Sequence, residues 1–363
     1  MKALSSAIAT LLILVALPTS SRAAGSFIGS LTNNNQVATT VPGNGDVNPY
    51  GVAVVPMTSG SLVEGNILVS NFNASSNAQG TGTTIVQITP GGATTLFAQI
   101  SDSKCTGGVG LTTALAIVQK SFVVVGSLPT TDGTSATTAA GCLIILDNTG
   151  KVVDTLTSKM INGPWDMTAV DNGSKSVLFV TNVLNGTVAG GGKVVTKGTV
   201  IRIVLDFSKS TPKVDSTTMI GSGFPERTDP AALVLGPTGV GLGSDGTLYV
   251  ADTLNNRVAA ISKAMTRHNS AGIGNTITQG SSLFSPLGLA VAPNGDILTV
   301  NAGDGNIVES TVAGTEVATV NLDSTSAPPA DPGAGTLFGL AITPDGTGVY
   351  FVDDGTNTLN LLN

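Results

Sequence analysis

Acid–base or cation chemistry in this chain would fall to carboxylates, and two places stand out: Asp252, and Asp354 with its neighbour Asp353. Carboxylates are the residue type that proton transfer or a hard cation requires. Zinc and nucleophilic chemistry have less to work with. The chain has one histidine, His268, which follows Arg267 in a polar stretch and has no partner at ligand spacing. No Gly-x-Ser-x-Gly elbow occurs, and the run Gly190 to Gly192 lacks the Lys-Ser/Thr of a phosphate loop. The expectation is a chain without metal or cofactor. Its two cysteines, Cys105 and Cys142, read as one disulfide of an oxidising compartment.

The elements that would hold these groups are short strands. From Gly236 to Ser262 the chain reads as a strand (Gly239 to Leu242), a Ser-Asp-Gly turn and a second strand (Thr247 to Ala251). An Asp/Asn-rich corner and a third strand through Val258 to Ile261 follow. β-Branched and aromatic residues alternating between Gly/Asp/Asn clusters mark strands and hairpins. The pattern opens again at Asn48, Gly163, Ser285 and Leu337, and in degenerate form at Gly108, so the chain is an array of six units. Composition agrees: 46 glycines and 11% charged residues leave little helix-forming Glu, Lys and Arg, and 41% hydrophobic content supports a large core. A net charge of −7 with no basic run argues against nucleic acid as a partner.

The last unit stops one strand short. That deficit predicts an all-β, six-bladed propeller of about four strands per blade over residues 24–363, with the region Ser26 to Val41 completing the blade begun at Leu337. Ser26 to Leu31 and Gln36 to Val41 read as the short strands available for this. Residues 1–23 read as a signal peptide: Lys2 is basic, Ala7 to Leu17 is apolar but too short to span a bilayer, and Ser21 and Ala23 are small. A secreted or periplasmic protein without a membrane span is expected.

Units four to six resemble NHL repeats. Each opens on Pro-x-Gly or its Leu-Phe-Gly variant, continues through Asp/Asn-Gly, and the fourth adds the close match Ala251-Asp-Thr-Leu-Asn-Asn-Arg-Val258. The resemblance covers most of the mature chain and implies a six-bladed propeller near the gluconolactonase, strictosidine-synthase-like and paraoxonase-like groups. It leaves function open. Gluconolactonase-like enzymes often place metal-binding Asn or Asp at the x of Pro-x-Gly. Here that ring reads Tyr50, Val109, Trp165, Thr238, Leu287 and Phe338, which lacks the oxygen ligands of a divalent metal. It makes either an axial plug or an apolar pocket in which Tyr50, Trp165 and Phe338 stack on a ligand.

A second ring ends strand two of each unit: Asn71, Ser127, Asn182, Asp252, Asn301 and Asp354. Such side chains bond corner amides or form a polar rim. The insertions Asn73 to Gly82, Leu128 to Gly141 and Val183 to Gly198, and the linkers Ser222 to Leu235 and Asp323 to Thr336, fall on the face that carries both rings. Variable loops on a rigid scaffold are common binding surfaces. The first expectation is therefore a binding module. It would meet a protein, a glycan or a small molecule through Tyr50, Trp165, Thr238, Phe338, Asn71, Asn182, Asp252 and Asp354. The alternative is a gluconolactonase-like hydrolase, and a third class is a structural envelope component.

Overall fold

The computed structural model describes residues 25–102, 104–325 and 332–363, so the stretch expected to be a signal peptide lies outside the described residues. Strands account for nearly all regular structure, and they form six antiparallel sheets. Blade one takes Val47–Val54, Ile67–Asn73, Thr84–Ile88 and Thr94–Gln99. Blade two takes Leu111–Val118, Phe122–Ser127, Cys142–Leu146 and Val152–Leu156. Blade three takes Pro164–Asn172, Lys175–Asn182, Val195–Asp206, Lys213–Asp229 and Leu233–Leu235. Blades four and five take Pro237–Leu242, Leu248–Asp252, Arg257–Ile261 and Asn275–Gln279, then Pro286–Val291, Ile297–Asn301, Asn306–Ser310 and Glu316–Asn321.

Blade six has three strands from the C-terminus, Leu337–Ile342, Val349–Asp353 and Thr358–Leu362. Asn34–Thr39 supplies the fourth, antiparallel to Thr358–Leu362. The ring is thus closed by the N-terminal strand, which pairs an edge that would otherwise lie open. The first stretch expected to be a strand, Ser26 to Leu31, instead holds a short 3-10 turn at Ile28–Ser30. Its backbone donors go to a side chain: the buried Glu309 carboxylate accepts from Phe27 N (2.7 Å), Ile28 N (2.9 Å) and the Ser26 hydroxyl (2.6 Å). A segment whose amides are captured this way has no donors left for a ladder.

The second and third strands of the blades are mostly buried, some without a break, as at Ile67–Asn73 and Cys142–Leu146, while the third strand of blade three exposes Thr196 and Lys197. Each blade packs between two neighbours, so both faces are covered, and these strands read as apolar runs. The core is a set of seams. Leu68, Ile85, Val123 and Ile144 fill the first; Val124, Ile145, Leu178 and Ile201 the second; Phe179, Val200, Val250 and Ala259 the third. The linker expected from Ser222 to Leu235 is ordered differently. The fourth strand of blade three runs on to Asp229, turns, and pairs again with Leu233–Leu235.

Candidate functional site

Two ends of the axis differ. At the end where the innermost strands begin, Tyr50 stacks on Phe338 (ring centroids 4.0 Å apart) and on Phe72 (4.5 Å), and Trp165 leans over both Tyr50 and Phe338. Leu287 joins them, and Leu128, Val183, Leu184, Leu233 and Val234 cover the group from the loops above. Those loops are tied to one another. Gln79 Nε2 donates to the Ala231 carbonyl (3.0 Å), and Ser135 Oγ donates to those of Asp229 (3.0 Å) and Leu233 (2.8 Å). The decorated face is therefore closed over the axis by its own side chains. Tyr50, Trp165 and Phe338 form a plug between 4% and 6% exposed.

Below the plug lies a cavity of about 310 Å³ lined by innermost strands of all six blades. Ile117, Thr168, Ala169, Leu242, Ala290, Val291 and Leu340 are half-buried, so the cavity opens where those strands end, away from the decorated loops. Each innermost strand pairs on one side only, which leaves its second row of N–H and C=O groups facing the axis. Into this space projects Asp166, 7% exposed and, among the described residues, the one titratable member of the lining. Its Oδ2 accepts from Val240 N of blade four (3.0 Å). Burial pushes the carboxyl up from 3.8 to about 7, against the pull of the Met167 and Val240 amides. A buried carboxyl poised near neutral pH in a ligand-sized cavity is the usual signature of an acid–base site.

The strand registers explain why Asp166 is unusual. Pro49 faces Asn71, Pro164 faces Asn182, Pro237 faces Asp252, Pro286 faces Asn301 and Leu337 faces Asp353. Two residues further along stand Gly51, Asp166, Gly239, Gly288 and Gly339. A column of glycines with one aspartate was legible in the repeat alignment, and reading only the x of Pro-x-Gly missed it. The same registers correct two ring members. Asp353, not Asp354, ends strand two of blade six. In blade two the ladder resumes at Leu111 opposite Ser127, so Thr112, not Val109, follows the opening residue. The sequence Gly108-Val-Gly mimics a Pro-x-Gly opening three residues too early.

The other expected site residues hold corners. Asn71 Nδ2 donates to the Thr40 carbonyl (3.0 Å), Asn182 Oδ1 accepts from Asn162 N (2.9 Å), and Asn301 Nδ2 donates to the Ser282 carbonyl (2.7 Å). Asp252 accepts from Arg257 Nη2 (2.7 Å) and Nε (3.0 Å) and from Asn255 (2.9 Å), a fully buried pairing that fixes the corner of blade four. Thr238 Oγ1 lies 2.8 Å from Thr253 Oγ1 and 3.1 Å from the Leu287 carbonyl. Asp354 sits half-buried near Tyr50. Burial, then the Asp353 charge, raises it to about 7, and burial with Asp354 holds the Tyr50 hydroxyl far above its ordinary range. Cys105 and Cys142 form a disulfide.

A divalent metal at the inner ring does not fit these residues. Tyr50, Thr112, Trp165, Thr238, Leu287 and Phe338 offer no carboxylate, and Thr238 is already bonded. Among the described residues no group of three His, Cys, Asp or Glu could hold a metal. No described helix is long and apolar enough to cross a membrane.

No protein-family model matches the chain, and no curated protein sequence matches it. Solved structures do. A structural-genomics structure assigned as a gluconolactonase superposes with a TM-score of 0.55 at 14% identity, covering 94% of this chain and 97% of that one. Regucalcin, a calcium-binding protein from Agrobacterium tumefaciens, gives 0.54 at 13% identity, covering 90% and 94%. A gluconolactonase from Xanthomonas campestris gives 0.52 at 12%, covering 89% and 87%. At such identities the likeness shows the fold: this chain is a six-bladed β-propeller with gluconolactonase- and regucalcin-like structural neighbours.

Proposed function

We propose that this chain is an exported hydrolase of small, uncharged lactones or esters, acting in the axial cavity with Asp166 as its acid–base group. The observation that carries the reading is the single carboxyl, buried and poised at about 7, in a cavity at the small end of ligand-binding size. Ionised Asp166 takes a proton from a water whose oxygen attacks the acyl carbon. When the acyl C–O bond breaks, the protonated carboxyl returns that proton to the leaving alkoxide, so a lactone yields a hydroxy acid. Free N–H groups of the innermost strands are the donors for the carbonyl oxygen that gains charge. The gluconolactonase neighbours support this over binding through the decorated face, whose loops are occupied with one another. Kinship to NHL repeats, on the Pro-x-Gly openings and the Asp252–Arg257 corner, is part of the same proposal, as is export, which the disulfide supports.

The test is hydrolysis of a panel of γ- and δ-lactones and p-nitrophenyl esters by the mature protein. The rate should climb as pH rises through about 7, because the ionised form is the base. Asp166→Asn should lower kcat on the order of 10²- to 10⁴-fold with the fold kept. A panel without turnover, or an Asp166→Asn variant as active as the parent, ends the reading. The bond from Val240 N to Asp166 favours one second reading, a site that holds a small ligand without turning it over. Saturable thermal stabilisation by lactones that are not consumed would mark it.

A further inference from the structure

Among the described residues the axial cavity has three polar side chains in its lining, Thr113, Asp166 and Thr168; the rest of the lining is apolar or glycine. The two threonines differ. Between the pairs Leu111–Ser127 and Leu115–Val125 the innermost strand of blade two carries three residues opposite one, where the other blades carry two. Thr113 comes from that longer strand, and its hydroxyl is enclosed by protein, out of reach of anything in the cavity. Thr168 is half-buried, and its hydroxyl is neither enclosed nor bonded to any described residue.

Strand geometry relates Thr168 to Asp166. Side chains alternate along a strand. Met167 and Ala169 pack into the seam with blade two, whereas Val170 packs into the seam with blade four and Asp166 bonds Val240 of that blade. Thr168 therefore shares the face of Asp166, about 6–7 Å further along the strand. It lies on the mouth side, because the strand begins at the plug. The pair is chemically complementary. An ionised carboxylate only accepts hydrogen bonds, and so does the carbonyl oxygen of a lactone or ester; Thr168 is the one side-chain donor that a molecule in the cavity can reach. A separation of about 6–7 Å leaves room for one water and one carbonyl group between them. We propose that Thr168 is a catalytic residue: its hydroxyl donates to the carbonyl oxygen of the lactone or ester while Asp166 acts on the water at the acyl carbon. The catalytic role rests on the hydrolytic reading above, whereas the contact with a carbonyl oxygen stands without it. As the water oxygen bonds to the acyl carbon, the carbonyl π pair moves onto its oxygen. Thr168 keeps its proton, and its hydrogen bond strengthens with the charge it meets. The ligand is thereby given a direction, carbonyl oxygen towards the mouth and ring oxygen towards Asp166.

The experiment compares Thr168→Val, which keeps the branched shape that suits a strand, with Thr168→Ser, which keeps the hydroxyl, in the full mature protein. On any lactone the parent hydrolyses, Thr168→Val should lower kcat about 10²-fold, and Thr168→Ser should stay within about tenfold of the parent. The pH midpoint of the rate should not move in either variant, because Asp166 remains the base. Binding is read separately with δ-valerolactam, a cyclic amide that presents the same carbonyl and resists hydrolysis. Its affinity, measured by calorimetry, should fall about threefold to tenfold in Thr168→Val and recover in Thr168→Ser. A kcat in folded Thr168→Val within about twofold of the parent overturns the role, and so does a fall that comes with a moved midpoint, which would mean that Thr168 acts through Asp166. If the parent hydrolyses nothing, the lactam decides. Affinity lost with the hydroxyl then keeps the contact and rejects the hydrolytic reading alone, whereas equal affinity in both variants, or no binding to the parent, overturns the contact as well.

Discussion

Blades one, four, five and six treat the axis differently from blades two and three. In the first group the residue after the ring position is Gly51, Gly239, Gly288 or Gly339. A β-carbon at Gly239, Gly288 or Gly339 would collide with the carbonyl oxygen of Leu287, Phe338 or Tyr50 on the next blade. At Gly51 it would come within 2.9 Å of the Thr113 carbonyl. Innermost strands packed this closely leave no room for chemistry. Blade three replaces the glycine by Asp166, and blade two gains a residue and presents Thr113. The polar side chains of the cavity thus come from the two blades where close packing is relaxed. A near-symmetric ring gains a site by local departure from its own repeat.

The largest effect is expected at the covalent brace of blade two. Replacing Cys105 and Cys142 by serine should cost about 4 kcal/mol from loop closure alone, and urea unfolding within 1 kcal/mol of the parent would deny the disulfide that role. A smaller effect separates the two groups of blades directly. Gly288→Ala should cost about 3 kcal/mol, because backbone atoms cannot move aside. Asp166→Ala should cost about 1 kcal/mol, the value of the bond from Val240. Equal losses at the two positions, measured by denaturant midpoints, would remove the distinction.

The finest test is pH. Folded Asp166 keeps its proton up to about 7, while the unfolded carboxyl releases it near 3.8, so between these values the folded state binds more protons. Stability contributed by this group therefore falls as pH rises across that window. Glu226 and Asp354, raised chiefly by burial, act in the same direction. Asp166→Asn should flatten the stability profile between pH 4 and 7, and a profile identical to the parent's would remove Asp166 as the buried acid of the axis.

Six units, the strand-rich composition and the missing strand of the last blade were all readable from alternation and turn residues. These are local properties, set within a few residues of each position. The ring position of blade six slipped by one because Asp353 and Asp354 are alike in a pattern and only backbone pairing distinguishes them. Blade two slipped further, since Gly108-Val-Gly imitates an opening that its longer innermost strand displaces to Leu111. Asp166 stood in plain view as the one acid in a column of glycines.

The repeat, the propeller class, the closing strand and the cysteine pair are legible along the chain, because each follows from periodicity or counting. Which end of the axis is open emerges from the folded ring alone. Loops of blades one, two and three, far apart in the chain, meet over Tyr50 and Trp165 and close one face. The depth at which Asp166 is buried, and with it the pH at which it titrates, depends on the Val240 amide and on strands of all six blades. Burial is a property of neighbours in space, and no spacing along one chain specifies it.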